Sequence, residues 1–177
     1  PMNLTGDGND TWPWIDHETW DRYDCSKLDQ WEIVFSHMDR LGLMLHIVTS
    51  ESENDHLLDD GELGPMRKLF YRELIARFGH HRALVWNIGE ENDNTTEQRK
   101  AYCGWFQFVD SYDHPIVMHT NSRLENHLKE YTPLLGYKLF EGASMQIRED
   151  EWVHTSIKEW IDKSTAAGRP WVVTFDE

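Results

Sequence analysis

The chain has 177 residues, enough for one ordinary domain with its own core. Its 32 Asp and Glu against 17 Lys and Arg give a net charge of −15, which argues against the basic surface that nucleic acid or an anionic membrane needs, so neither is expected as a partner. No apolar run approaches the ~20 residues of a membrane span, and the 2 cysteines, Cys25 and Cys103, lack metal-type spacing and allow one disulfide at most.

Residues 1–26 read as irregular. Gly6-Asp7-Gly8-Asn9-Asp10 has turn composition, with acidic spacing that hints at a calcium loop but falls short of an EF-hand. Trp12, Trp14, Trp20 and Tyr23 follow, suited either to lining a substrate groove or to pinning the loop. Ser26 stands where a helix cap belongs. Leu28, Trp31, Phe35, Met38 and Leu41 then recur every three or four residues, one apolar face of a helix that Gly42 ends. Leu43 to Val48 reads as a strand apolar on both faces except at His46, the pattern of a parallel sheet covered by helices. The loop 49–64 is acidic, and Glu51 lies nearest the strand tip.

Pro65 opens a second helix, with a buried stripe of Leu69, Phe70, Leu74 and Phe78 and a stop at Gly79. His80 and His81 are expected at its exposed, dipole-favoured end. Leu84 to Asn92 is the pivotal stretch: a short apolar run of strand composition that ends in two adjacent carboxylates, Glu90 and Glu91. Thr95 and Gln98 have the spacing of a capping box for the helix that follows. Its apolar face is Tyr102, Trp105, Phe106, Val109 and Tyr112 over 95–112. Pro115 to Thr120 is the next strand, with His119 at its end; 124–136 is a short helix and connector. Leu139 to Met145 is a weaker strand, interrupted by Gly142, Ala143 and Ser144. A helix over 150–167 turns Val153, Ile157, Trp160 and Ile161 inward, and Trp171 to Phe175 is the last strand, closing on Asp176-Glu177.

Strict alternation of strands and helices predicts right-handed parallel βαβ units, in an α/β fold that is either an open doubly wound sheet or a closed barrel. No Gly-x-Gly-x-x-Gly or phosphate loop follows a strand, which weakens a nucleotide-binding sheet. In a barrel, catalytic groups sit at the C-terminal strand tips, where Glu90 and Glu91 fall. Both ends of the chain look cut, so a single incomplete domain, 1–177, of a larger protein is expected.

The segment Trp86-Asn87-Ile88-Gly89-Glu90-Glu91-Asn92 resembles the fourth-strand signature of the clan of retaining (β/α)8-barrel glycoside hydrolases. That strand reads like Trp-x-Leu-x-Asn-Glu-Pro and ends in the acid/base glutamate. Trp86 falls on the Trp, Ile88 on the Leu, Glu91 on the catalytic Glu and Asn92 on the Pro, while Glu90 replaces the usual Asn. The wording is also similar to a group of secreted bacterial barrels, some described with a collagen-binding C-terminal domain. Counted from this strand, residues 1–5 are the tip of strand two, 43–48 strand three and 171–175 strand seven. The resemblance therefore implies a partial TIM barrel of about strands two to seven. Strand seven carries the clan's nucleophile, and here it ends in Asp176 and Glu177.

What the resemblance implies is a glycosidase acting on an oligo- or polysaccharide without cofactor or metal, secreted or periplasmic, with accessory domains in the parent chain. Glu91 would be the acid/base and Glu177, or Asp176, the nucleophile, with the carboxyl groups about 5–5.5 Å apart. A neighbouring charge at Glu90 would keep Glu91 protonated near neutrality, or Glu90 would hold a substrate hydroxyl. His119 and His46 would orient a carboxylate or a sugar hydroxyl; Glu51, Asn3, Asp7, Trp12 and Trp14 are rim candidates for substrate binding. Two other classes fit the same barrel: a non-catalytic carbohydrate-binding scaffold, and a metal-dependent hydrolase using His46, His119 and Asp176.

Overall fold

The computed structural model describes residues 12–16 and 18–176. Helices and strands alternate along them: α1 (Cys25–Arg40), β1 (Leu45–Val48), α2 (Pro65–Phe78), β2 (Leu84–Asn87), α3 (Thr96–Val109), β3 (Ile116–Thr120), α4 (Leu124–Tyr131), β4 (Gly142–Met145), α5 (Asp150–Ala166) and β5 (Val172–Phe175). None of these helices is long and apolar enough to cross a membrane.

Local chemistry sets the ends. The expected capping box forms: Thr95 Oγ1 accepts from Gln98 N, and the Gln98 side chain returns the bond to Thr95 N. Pro65 occupies the first turn of α2. At α1 the cap is Asp24 rather than Ser26. Its carboxylate accepts from Ser26 N and Lys27 N, two of the amides an N-terminus leaves over.

The five strands form one parallel sheet in the order β1-β2-β3-β4-β5, an α/β fold. Each strand lies beside its sequence neighbour, without the order reversal of a doubly wound sheet. The register separates two faces. Leu45, Ile47, Leu84, Trp86, Ile116, Met118, Ala143 and Met145 share one, and all belong to the apolar core with Phe70, Tyr71, Leu74, Phe78, Phe106, Tyr131 and Trp160 of the helices. His46, Val48, Val85, Asn87, Val117, His119, Gly142 and Ser144 share the other.

The sheet is rolled about this second face. In a flat sheet β1 and β5 would stand four strand spacings, roughly 19 Å, apart. Yet His46 of β1 and Asp176, just past β5, approach to 3.5 Å. Side chains of this size cannot bridge a flat sheet, so the edges must curl toward each other. Beside β5, a Cβ on Gly142 would meet Val172 O at 2.3 Å, so the close approach of these two strands admits glycine alone.

Some sequence expectations shift. Leu41 is 60% exposed, beyond the end of α1, and Leu43 and Met44 are exposed before a strand that begins at Leu45. Tyr112 lies past α3, also exposed, and Ile161 faces outward on α5. Cys25 and Cys103 are both free. His81, expected at an exposed helix end, is buried. Trp14, Trp86, Trp160 and Trp171 are core residues, so tryptophan mostly serves packing.

The N-terminal end of the sheet is tied by one buried carboxylate. Asp110 Oδ2 accepts from Trp86 Nε1 at 2.9 Å and His114 Nδ1 at 2.8 Å, Oδ1 accepts from Tyr112 N at 3.0 Å, and His114 Nε2 reaches His81 O at 2.9 Å. Burial pushes the Asp110 pKa up, but these donors outweigh it and hold the group below the usual carboxylate range. Asp110→Ala would leave the indole N–H unsatisfied and is expected to cost about 2–4 kcal/mol in chemical denaturation. Because the folded pKa is depressed, Asp110's contribution is full above about pH 4 and is lost as pH falls further; the variant should lose that acid dependence.

Candidate functional site

Parallel strands place all their C-terminal ends on one rim. Beneath that rim, on the concave face, runs a connected line of polar side chains. Asn87 Oδ1 accepts from Gly89 N at 3.0 Å and from His119 N at 3.3 Å. Those bonds orient the amide, so the group 3.0 Å from His46 Nε2 is the Nδ2 donor. With Nε2 accepting, neutral His46 carries its proton on Nδ1, which faces Asp176 Oδ2 at 3.5 Å. Ser144 Oγ donates to the same oxygen. Burial lowers the His46 pKa, and the Asp176 carboxylate opposes this only in part. The line Asn87–His46–Asp176–Ser144 thus joins groups from β2, β1, the end of β5, and β4. His119, 4% exposed, lies beside Ser144 in the register.

The turn out of β2 is strained. Gly89 has φ +151°, and a Cβ on it would come within 2.5 Å of Asn92 Nδ2 and 3.0 Å of Ser50 Oγ. Glu91 adopts φ +49°, unusual for a residue with a side chain. Glu90 is half-buried and its N–H bonds Ser50 O at 2.8 Å; Glu91 is exposed.

Glu91 lines a second hollow on the same rim, about 460 Å³, with Asn92, Thr96, Asn121, Asn126, Lys129 and Glu130 among its walls. Arg99 forms its floor, donating to Asn92 O at 2.9 Å and Asn92 Oδ1 at 3.1 Å, and lying 3.7 Å from Glu130. Burial raises the Glu130 pKa above the usual carboxylate range. Arg99 and Lys129 oppose that shift, and the nearby Glu91 adds to it.

The structure brings together His46 and Asp176, with His119 on the same face. It directs Glu91 to the hollow beside α4, whose lining does not include Asp176. Glu51 is half-buried at the tip of β1, where Glu51 N donates to Asn54 Oδ1 at 3.0 Å. Trp14 corrects a sequence expectation. It is fully buried against Tyr23, Phe70 and Trp20, with ring centroids 4.8, 5.5 and 5.7 Å away, and offers a ligand no surface. Trp12 is half-buried against the same core. Glu177, Asn3 and the calcium-like stretch with Asp7 lie outside the described residues.

Sequence reasoning passed over Asn87, Ser144, Arg99 and Glu130. A polar residue inside a strand that reads as buried on both faces was the available signal for the first two. Among the described residues, His46, His119 and Asp176 do not form a close ligand triad. The His and acidic groups with ligand atoms within 4.8 Å of one another lie elsewhere, at Glu32-His80-His81 and Asp55-His56-Asp93. No protein-family model, curated protein or solved structure matches the chain.

Since His46 is harder to protonate folded than unfolded, its contribution to stability is complete above about pH 6.5 and declines as pH falls through the lowered folded value. His46→Gln should flatten the slope of unfolding free energy against pH below 6.5. An unchanged slope would remove His46 from this role.

Proposed function

We propose that this chain is part of a (β/α)8-barrel glycoside hydrolase, with Asp176 as the carboxylate beneath the anomeric carbon and the Glu90–Glu91 pair supplying the proton donor. The observation that carries this is the 3.5 Å approach of His46 and Asp176 across the rolled sheet. Sequential parallel strands whose first and last members approach through side chains across the concave face are what about five consecutive strands of an eight-stranded barrel would look like. Strand tips at one rim are where such barrels keep their chemistry.

The roles follow from the surroundings of each carboxylate. Asp176 accepts from the Ser144 hydroxyl and faces the His46 Nδ1–H, so its oxygen is held in a fixed orientation. That suits a nucleophile or a carboxylate stabilising an oxocarbenium ion. Glu91 is the acid/base by its position after β2, next to Glu90. It reaches a leaving group from the adjoining hollow, where Asn121, Asn126 and Thr96 offer the paired donors and acceptors that sugar hydroxyls need. Glu90, at the tip of β2, is placed in sequence to hold a substrate hydroxyl.

Asp176→Asn and Glu91→Gln, made in the intact parent protein, are each expected to lower hydrolysis across a glycoside panel by at least about 100-fold. Denaturation midpoints should stay near the parent's. Parent-like turnover in both variants would overturn the proposal, and saturable glycan binding without hydrolysis in the parent would favour a carbohydrate-binding scaffold instead.

A further inference from the structure

At the opposite end of the sheet from the rim, α1 and the loop entering β2 bring together two histidines and two carboxylates. His81 is 1% exposed. Its Nδ1 lies 2.6 Å from Asp39 Oδ2 and its Nε2 lies 3.2 Å from Glu32 Oε2. His80 Nε2 lies 3.4 Å from the other oxygen of Glu32, and the two imidazole rings stand 4.2 Å apart.

Proton placement makes the cluster informative. Asp39 at 2.6 Å takes the Nδ1–H of His81. Its Nε2 then faces the Glu32 carboxylate, itself only an acceptor, so a positive charge belongs between them, carried by a second proton or by a metal ion. The exposed His80 brings a second ring nitrogen to the other oxygen of the same carboxylate. Such convergence of lone pairs is stabilised by a cation placed among them. The spacing suits one: zinc bonds of about 2.0–2.1 Å in a tetrahedron separate neighbouring ligand atoms by roughly 3.3–3.4 Å. The two Glu32–histidine separations, 3.2 Å from Oε2 to His81 and 3.4 Å from Oε1 to His80, are each close to that edge, and a small turn of the carboxylate would bring one oxygen to both rings.

His81 is also held as metal ligands commonly are. A carboxylate on the far ring nitrogen fixes the tautomer and orients the ring. Phe35 packs edge-on at 5.9 Å, and the His81 carbonyl accepts from His114 Nε2 at 2.9 Å. Glu32 is steadied in turn by Ser36 Oγ at 2.8 Å. We propose that Glu32, His80 and His81 bind a divalent transition cation of the zinc class, with Asp39 as a positioning residue. Solvent fills the fourth position on the His80 side. The ion would clamp α1 to the loop between α2 and β2, at the end of the sheet remote from the proposed chemistry.

The test uses protein stripped with a chelator and titrated with Zn2+ by calorimetry, with Co2+ absorption reporting tetrahedral coordination. One equivalent is expected, with a rise in Tm on binding. His80→Ala and Glu32→Gln both change partly exposed side chains, and each should weaken this site at least tenfold and abolish the Tm rise. Asp39→Asn should weaken it about 10- to 100-fold. His56→Ala, in the separate Asp55-His56-Asp93 group, should leave it intact. Absence of saturable Zn2+ binding, or binding that His80→Ala and Glu32→Gln leave unchanged, would overturn the proposal.

Discussion

The approach of His46 to Asp176 organises the molecule. It joins the first and last of five parallel strands, which is possible only if the sheet rolls. Rolling divides the side chains by space. The convex face has room for large apolar groups and takes the helices, so Trp86, Phe106, Tyr131 and Trp160 pack there. The concave face narrows toward its axis, and its middle holds Asn87, Ser144, Gly142 and His119 instead. Polar atoms gathered there must satisfy one another, and the line from Asn87 through His46 to Asp176 does so.

The two ends of the sheet are built differently. At the base, Asp110 collects Trp86, Tyr112 and His114, and the backbone there is held by side-chain hydrogen bonds. At the rim, Glu91 after β2 and Asp59 and Asp60 in the loop after β1 adopt left-handed backbone, as Asp113 does at the base. That loop is braced by Arg67, which is fully buried. Its guanidinium donates to Asp55 O at 2.5 Å, Leu58 O at 3.1 Å and Tyr71 Oη at 3.2 Å, and lies 4.9 Å from the centre of the Tyr102 ring. Removing a partner from such a buried charge is strongly destabilising, because the desolvated guanidinium would lose what compensates it. Strain at the rim is thus held in place by order immediately beneath it.

Local signals in the sequence were sufficient for the elements. Pro65, the Thr95–Gln98 box and the stripe Leu69-Phe70-Leu74-Phe78 act within a few residues, and each does in the fold what its spacing predicts except Leu69, which is only half-buried. The strand at Gly142–Met145 read weakly because its small residues answer to crowding across the sheet, which no local pattern encodes. Asp24 displaced Ser26 as a cap because its carboxylate reaches two amides at once. His80 and His81 looked like a solvated helix end because Glu32 and Asp39 lie far back in the chain.

The sequence by itself determined the alternation of helix and strand, the parallel α/β class and the delivery of acidic residues to strand ends, because hydrophobic period, capping and turn chemistry are all short-range. Only the tertiary structure decided which polar groups meet. His46 and Asp176 lie 130 positions apart in the chain. Their contact depends on the curvature of the whole sheet, a sum of small twists at every strand pair that no single segment specifies. Trp14 went into the core and Glu91 to a hollow beside α4 for the same reason: a side chain's surroundings are set by whichever elements arrive next to it.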